Sequence, residues 1–113
     1  MDLVVWQRAV QLSTAIYHLT ASFPKSEQFG LVNQMRRASV SIASNIAEGY
    51  GRSTKGEYIH FLGNARGSKC ELQTQIAIAR ELGFGEATSY EKVEPLCADV
   101  SRMLIALMKK LKE

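Results

Sequence analysis

The chain of 113 residues is poor in the residue types that most often betray chemistry. Its two cysteines, Cys70 and Cys97, have no CxxC spacing and no histidine beside them, which argues against a disulfide framework and a zinc site. Reduced thiols in a cytoplasmic protein are the expectation. The two histidines, His18 and His60, stand far apart and outside any HExxH or GxSxG motif. Glu91, Glu94 and Asp99 lack the ExxH pairing of di-iron bundles. No nucleophile, base and orienting group converge, so the expectation is no enzyme, no metal and no cofactor. Long apolar runs are missing too: the longest uncharged stretch, residues 9–24, holds Gln11, Ser13, Thr14, His18, Thr20 and Ser22 and is too polar to cross a bilayer. Met1-Asp2-Leu3 lacks the basic flank of a secretory leader. No segment keeps period-2 alternation, so no strands are expected.

What is present is helical periodicity. Hydrophobic residues at 46% and charged residues at 22% fit one globular domain and exclude disorder. Val5, Ala9, Leu12, Ile16, Leu19 and Phe23 step by four and three along a first helix over about 3–22, ended by Pro24. A second, over about 27–50, carries Leu31, Met35, Ala38, Ile42 and Asn45, with Ser26 as its cap and Gly49, Gly51 and Ser53 closing it. The third, about 55–82, opens on the Thr54 to Glu57 capping box, lines up Tyr58, Phe61, Ala65, Leu72, Ile76 and Ala79, and stops at Gly83-Phe84-Gly85. The fourth, about 89–111, follows a second box at Thr88 to Glu91 and places Tyr90, Val93, Cys97, Val100, Leu104, Leu107 and Leu111 in 3,4 alternation. Short connectors between long helices predict an all-α, antiparallel up-down-up-down four-helix bundle in a single domain, residues 1–113.

The second helix is unusually small-sided. Ala and Ser where Leu would bury more area imply close packing, and Ala38, Ser41 and Asn45 are expected to set packing and register. Ser39, Ser41 and Ser44 lie mid-helix, where hydroxyls bond back to the preceding turn and make no phosphate cradle. Glu48 is expected to bond Asn45 or a tyrosine. Gly63 and Gly67 each cost a helix interior roughly 1 kcal/mol relative to Ala, so something should approach closely there. Trp6 either covers an end of the core or anchors an interface.

The strongest hint of a partner is charge. Net charge is +3, and the excess sits in residues 1–69, with eight Lys/Arg against four Asp/Glu. On the third helix Lys55, Arg66, Lys69 and Arg80 fall within about 60° of one another at 100° per residue, with Gln73 on the same line. Arg36, Arg37 and Arg52 extend the set. Such a face could neutralise phosphates of RNA or DNA; it could equally pair with carboxylates of a neighbouring subunit or partner, as a scaffold would.

The run Gln34-Met35-Arg36-Arg37-Ala38 followed by Ser41-Ile42-Ala43-Ser44-Asn45-Ile46-Ala47-Glu48-Gly49, with Phe23-Pro24, Glu27-Gln28-Phe29-Gly30-Leu31, Gly67-Ser68, Glu71-Leu72 and Leu82-Gly83, resembles the bacterial 23S ribosomal RNA intervening-sequence family over nearly the whole chain. The resemblance implies a four-helix bundle assembled as a homo-oligomeric ring, a pentamer. It also implies association with nucleic acid, or with a reverse transcriptase if the chain is linked to a retroelement. It carries over no catalytic residue.

Overall fold

The computed structural model describes residues 3–113; the expectation resting on Met1 and Asp2 lies outside them. Helices α1 (Val4–Thr20), α2 (Leu31–Tyr50), α3 (Lys55–Glu81) and α4 (Ala87–Lys112) account for most of it, with a 3₁₀ turn, Lys25–Glu27, between α1 and α2. No strand occurs among the described residues. The four helices form a square in cross-section. Each packs on its chain neighbours, and α1 also packs on α4, while the diagonal pairs make no backbone contact among the described residues. The molecule is 44 × 24 × 22 Å.

The periodic apolar lines explain the core. All six residues of the α1 line are buried, as are Tyr90, Val93, Cys97, Val100 and Leu104 of α4. Leu107 and Leu111 are half-buried against the same cluster, and Trp6 packs on its edge. In α2 the buried line is rotated from the expected one: Val32, Ser39 and Ile46 join Met35, Ala38 and Ile42, while Leu31 and Asn45 are only half-buried. In α3 Leu62, Lys69 and Gln75 are buried beside Ala65, Leu72, Ile76 and Ala79. Tyr58 and Phe61 are half-buried.

Helix ends correct several expectations. Ser26 does not cap α2; it lies in the 3₁₀ turn, and α2 begins at Leu31. The Glu27 carboxylate takes over, accepting from the Leu31 amide at 3.3 Å, which also places negative charge at the positive end of the helix dipole. Thr54 caps α3 as expected, accepting from the Glu57 amide at 3.1 Å and donating to its carboxylate at 3.0 Å. The expected box at Thr88 is absent, because α4 starts at Ala87, with Glu86 at the cap position and no side-chain cap bond. Pro95 sits inside α4, where the apolar alternation masks it; lacking an N–H, it removes one helical bond on an exposed side.

Close approach occurs between α2 and α3, the most extensive helix pair. Gly49 is the reason at one end. It lies within α2, and a Cβ there would stand 2.9 Å from Phe61 Cβ and 3.1 Å from Tyr58 Cδ1. Gly51 has φ −82°, so the expected left-handed ending is not used; among the described residues only Gly83 (φ 75°) and Gly85 (φ 80°), after α3, adopt it. Gly63 and Gly67 are the opposite case. Both are exposed, and a Cβ on either would meet nothing within 4 Å, so among the described residues none is the close neighbour expected there.

Candidate nucleic-acid interface

The polar groups of α2 form seams with its neighbours. Ser39 is fully buried; its hydroxyl donates to Arg36 O at 2.9 Å and meets Ser13 Oγ of α1 at 3.1 Å. On the other side Ser41 Oγ lies 2.9 Å from Ser68 Oγ of α3. Asn45 Nδ2 donates to Ser41 O at 2.9 Å and to Ser41 Oγ at 3.0 Å, which completes a chain Asn45, Ser41, Ser68 across α2 and α3. Glu48 is not part of it. Its carboxylate pairs with Arg52 one turn on, so neither Asn45 nor a tyrosine is its partner.

The basic stripe of α3 does not form one open face, because its line runs along the seam with α4. Lys69 is 7% exposed, buried against that seam, and its ammonium donates to Gln73 Oε1 at 3.4 Å. Arg80 forms an ion pair with Glu94 of α4 and lies 5.0 Å from the centre of the Tyr90 ring. These two expected phosphate contacts are therefore occupied within the chain. The α3 to α4 seam is the least extensive of the four helix contacts, and the buried Lys69 and the ion-paired Arg80 lie along it.

Arg36 and Arg52 are likewise engaged. Arg36 Nε donates to Thr20 Oγ1 at 2.9 Å, its guanidinium reaches Tyr17 O at 3.4 Å, and it stacks 4.5 Å from the Tyr17 ring centre, clamping α1 to α2. Arg52 stacks 4.7 Å from the Phe61 ring centre. Three of the seven expected contacts remain open: Arg37, Lys55 and Arg66 are exposed and have no acidic partner among the described residues. Arg37 borders a concavity of about 510 Å³ with Arg36, Tyr17, Gln28 and Asn33.

Arg66 has company that sequence reading missed. It shares a groove of about 290 Å³ between α3 and α4 with Ile105, Met108, Lys109 and Lys112. Lys109, Lys110 and Lys112 occupy the last turn of α4, and the signal was in the sequence as a basic helix end. Periodicity along a single helix does not reveal it, because the set spans two helices.

Titration behaviour points to packing and not to proton chemistry. Burial raises the Cys97 thiol above its ordinary value of 9.0, with Lys69 and a Gln73 hydrogen bond pulling the other way. Burial also raises Tyr90, opposed by Arg80, and raises Tyr58 beside Tyr50. His18 and His60 are both exposed. Among the described residues no three His, Cys, Asp or Glu side chains are grouped to hold a metal, and no helix is long and apolar enough to cross a membrane.

A four-helix, all-α protein with serine-lined seams and residual open cations is the class these features define. The family model for the 23S rRNA-intervening sequence protein matches residues 1–106, and the chain belongs to that family. A crystal structure of a protein of unknown function from the S23 ribosomal protein family of Bacteroides thetaiotaomicron superimposes with a TM-score of 0.82. It covers 94% of this chain and 96% of its own at 19% identity, a likeness of fold. No curated protein matches.

Proposed function

We propose that this is a non-enzymatic cytoplasmic protein, an antiparallel up-down-up-down bundle assembled as a homo-oligomeric ring, that associates with RNA through cations its own fold leaves unpaired. The carrying observation is the division of the basic residues: four are consumed by contacts within the chain, whereas Arg37, Lys55 and Arg66 remain exposed without acidic partners among the described residues. Exposed cations without partners are what phosphate binding requires. The family name, which refers to sequences intervening in 23S ribosomal RNA, supports the same reading. Between α1 and α2 the contacts Ser13 to Ser39 and Thr20 to Arg36, between α2 and α3 Ser41 to Ser68 and Gly49 to Phe61, and between α3 and α4 Arg80 to Glu94 and Arg66 to Ile105 rise in number on one helix as they fall on the next, which supports the up-down order.

Oligomerisation is supported by Gly63 and Gly67, whose open backbone faces away from this chain. A pentamer would carry five times the +3 of one chain and concentrate it. The alternative, a scaffold binding a protein such as a reverse transcriptase, is favoured by one observation, the 93% exposure of Phe29 at the α1 to α2 connection. Light scattering and RNA titration together test the proposal. A mass of five chains with salt-sensitive RNA binding that Arg37→Glu/Lys55→Glu weakens is expected; a monomer that ignores RNA at low salt would refute it.

A further inference from the structure

The groove between α3 and α4 has a composition that a merely solvated face does not need. Its floor is apolar, with Ile105 49% exposed and Met108 half-buried, and three cations, Arg66, Lys109 and Lys112, line it without a carboxylate. Lysines in a last turn favourably meet the negative end of the helix dipole, which by itself would explain Lys109 and Lys112. It explains neither the guanidinium contributed by a different helix nor an isoleucine left half in water between the charges. Both are accounted for by an occupant that is anionic along one edge and apolar along the other.

We infer that this groove holds an unpaired RNA strand, its phosphates on Arg66, Lys109 and Lys112 and a base laid against Ile105 and Met108. The inference rests on the RNA reading above and narrows it to one strand form and one place. A duplex presents phosphates outward with its bases stacked inside, so it could satisfy the cations but would leave the apolar floor facing water. An unpaired strand can turn a base face onto the floor while its backbone follows the charges. Methionine suits this because its flexible, polarisable thioether adapts to different base outlines. With aliphatic in place of aromatic side chains, the contact is tolerant of sequence. At about 290 Å³ the groove falls just below the roughly 300–1,000 Å³ of small-molecule pockets, which fits a strand lying along it better than an enclosed ligand. Charge is also asymmetric along the bundle. Lys55, Lys109, Lys110 and Lys112 outnumber Glu57 and Glu113 at one end, whereas Glu81, Glu86 and Glu91 cluster around the α3 to α4 connection at the other, which steers an anion toward the groove.

The test uses fluorescence anisotropy of the full chain with labelled oligouridine, a hairpin duplex of equal phosphate count, and anionic phosphatidylserine vesicles. The expected results are single-strand binding at least fivefold tighter than duplex binding, a loss of at least tenfold for both in Lys109→Glu/Lys112→Glu, and loss of the strand preference alone in Ile105→Gln. All three positions are on the surface or its edge, and the charge-neutral Lys109→Gln/Lys112→Gln should show a smaller loss in the same direction. Equal affinity for strand and duplex overturns the strand inference. Unchanged RNA binding in the charge-reversed variant moves the site elsewhere, to the side of Arg37, and leaves the general RNA proposal standing. Absence of RNA binding at about 50 mM salt, or groove-dependent binding to vesicles alone, overturns both.

Discussion

At the scale of single residues, the fold is decided by where space is left for backbone. Gly49 is occupied space: an added methyl would collide with Phe61 and Tyr58. Gly49→Ala should therefore cost about 1–3 kcal/mol, the usual penalty of overpacking, read as a lower urea midpoint. An unchanged midpoint would mean that α2 and α3 slide apart freely. Cys97 gives a second test. Its thiol is raised by burial, so the folded chain holds the proton more tightly than the unfolded one. Stability is then fully present below the unfolded thiol's value and falls as pH rises above it through the folded value. Unfolding midpoints should drop between about pH 8 and 10, and Cys97→Ala should flatten part of that drop, with Tyr58 and Tyr90 supplying the remainder at the upper end. A decline untouched by the substitution would exclude the thiol as its source.

At the scale of elements, the apolar lines of α1 and α4 were legible because such a face needs only period and residue type, whereas the small side chains of α2 left its line open to the rotation that buries Val32, Ser39 and Ile46. Helix starts were less so. Ser26 and Thr88 have the right chemistry for caps, yet Glu27 reaches the Leu31 amide from inside the 3₁₀ turn and α4 begins before Thr88. A cap depends on chain direction just outside the helix, which periodicity does not encode. The stripe on α3 was legible as a line and not as a face, since what it meets depends on α4. Two substitutions probe these helices. Pro95→Ala restores the missing amide on an exposed side of α4 and should raise stability by about 1–3 kcal/mol, unless the helix is bent to suit the ring. Calorimetry measures it directly. Gly63→Ala/Gly67→Ala should add roughly 1 kcal/mol per site to the isolated chain. In the proposed ring the same methyl groups should lower the mass seen by light scattering; a higher melting point with an unchanged mass would place both glycines outside every interface.

For the whole molecule, packing and the proposed recognition draw on the same basic residues and divide them. Arg36, Arg52, Lys69 and Arg80 hold helices or connectors in place, as the hydrogen bond to Thr20, the pair with Glu94 and the burial of Lys69 show. Arg37, Lys55 and Arg66 are left over, and Lys109 and Lys112 join Arg66 across the α3 to α4 groove. A modest net charge of +3 is thus compatible with a locally strong anion site, because Glu48, Glu94 and Asp99 are spent in ion pairs and Glu81, Glu86 and Glu91 lie toward the opposite end of the bundle. The most direct measurement is the salt dependence of binding to unstructured RNA. Each phosphate neutralised contributes a slope of about −0.7 in log K against log salt. Engagement of Arg66, Lys109 and Lys112 predicts a slope of about −2 or steeper, made shallower by about 0.7 for each of these charges removed. Binding that ignores salt, or no binding at about 50 mM, would contradict the account.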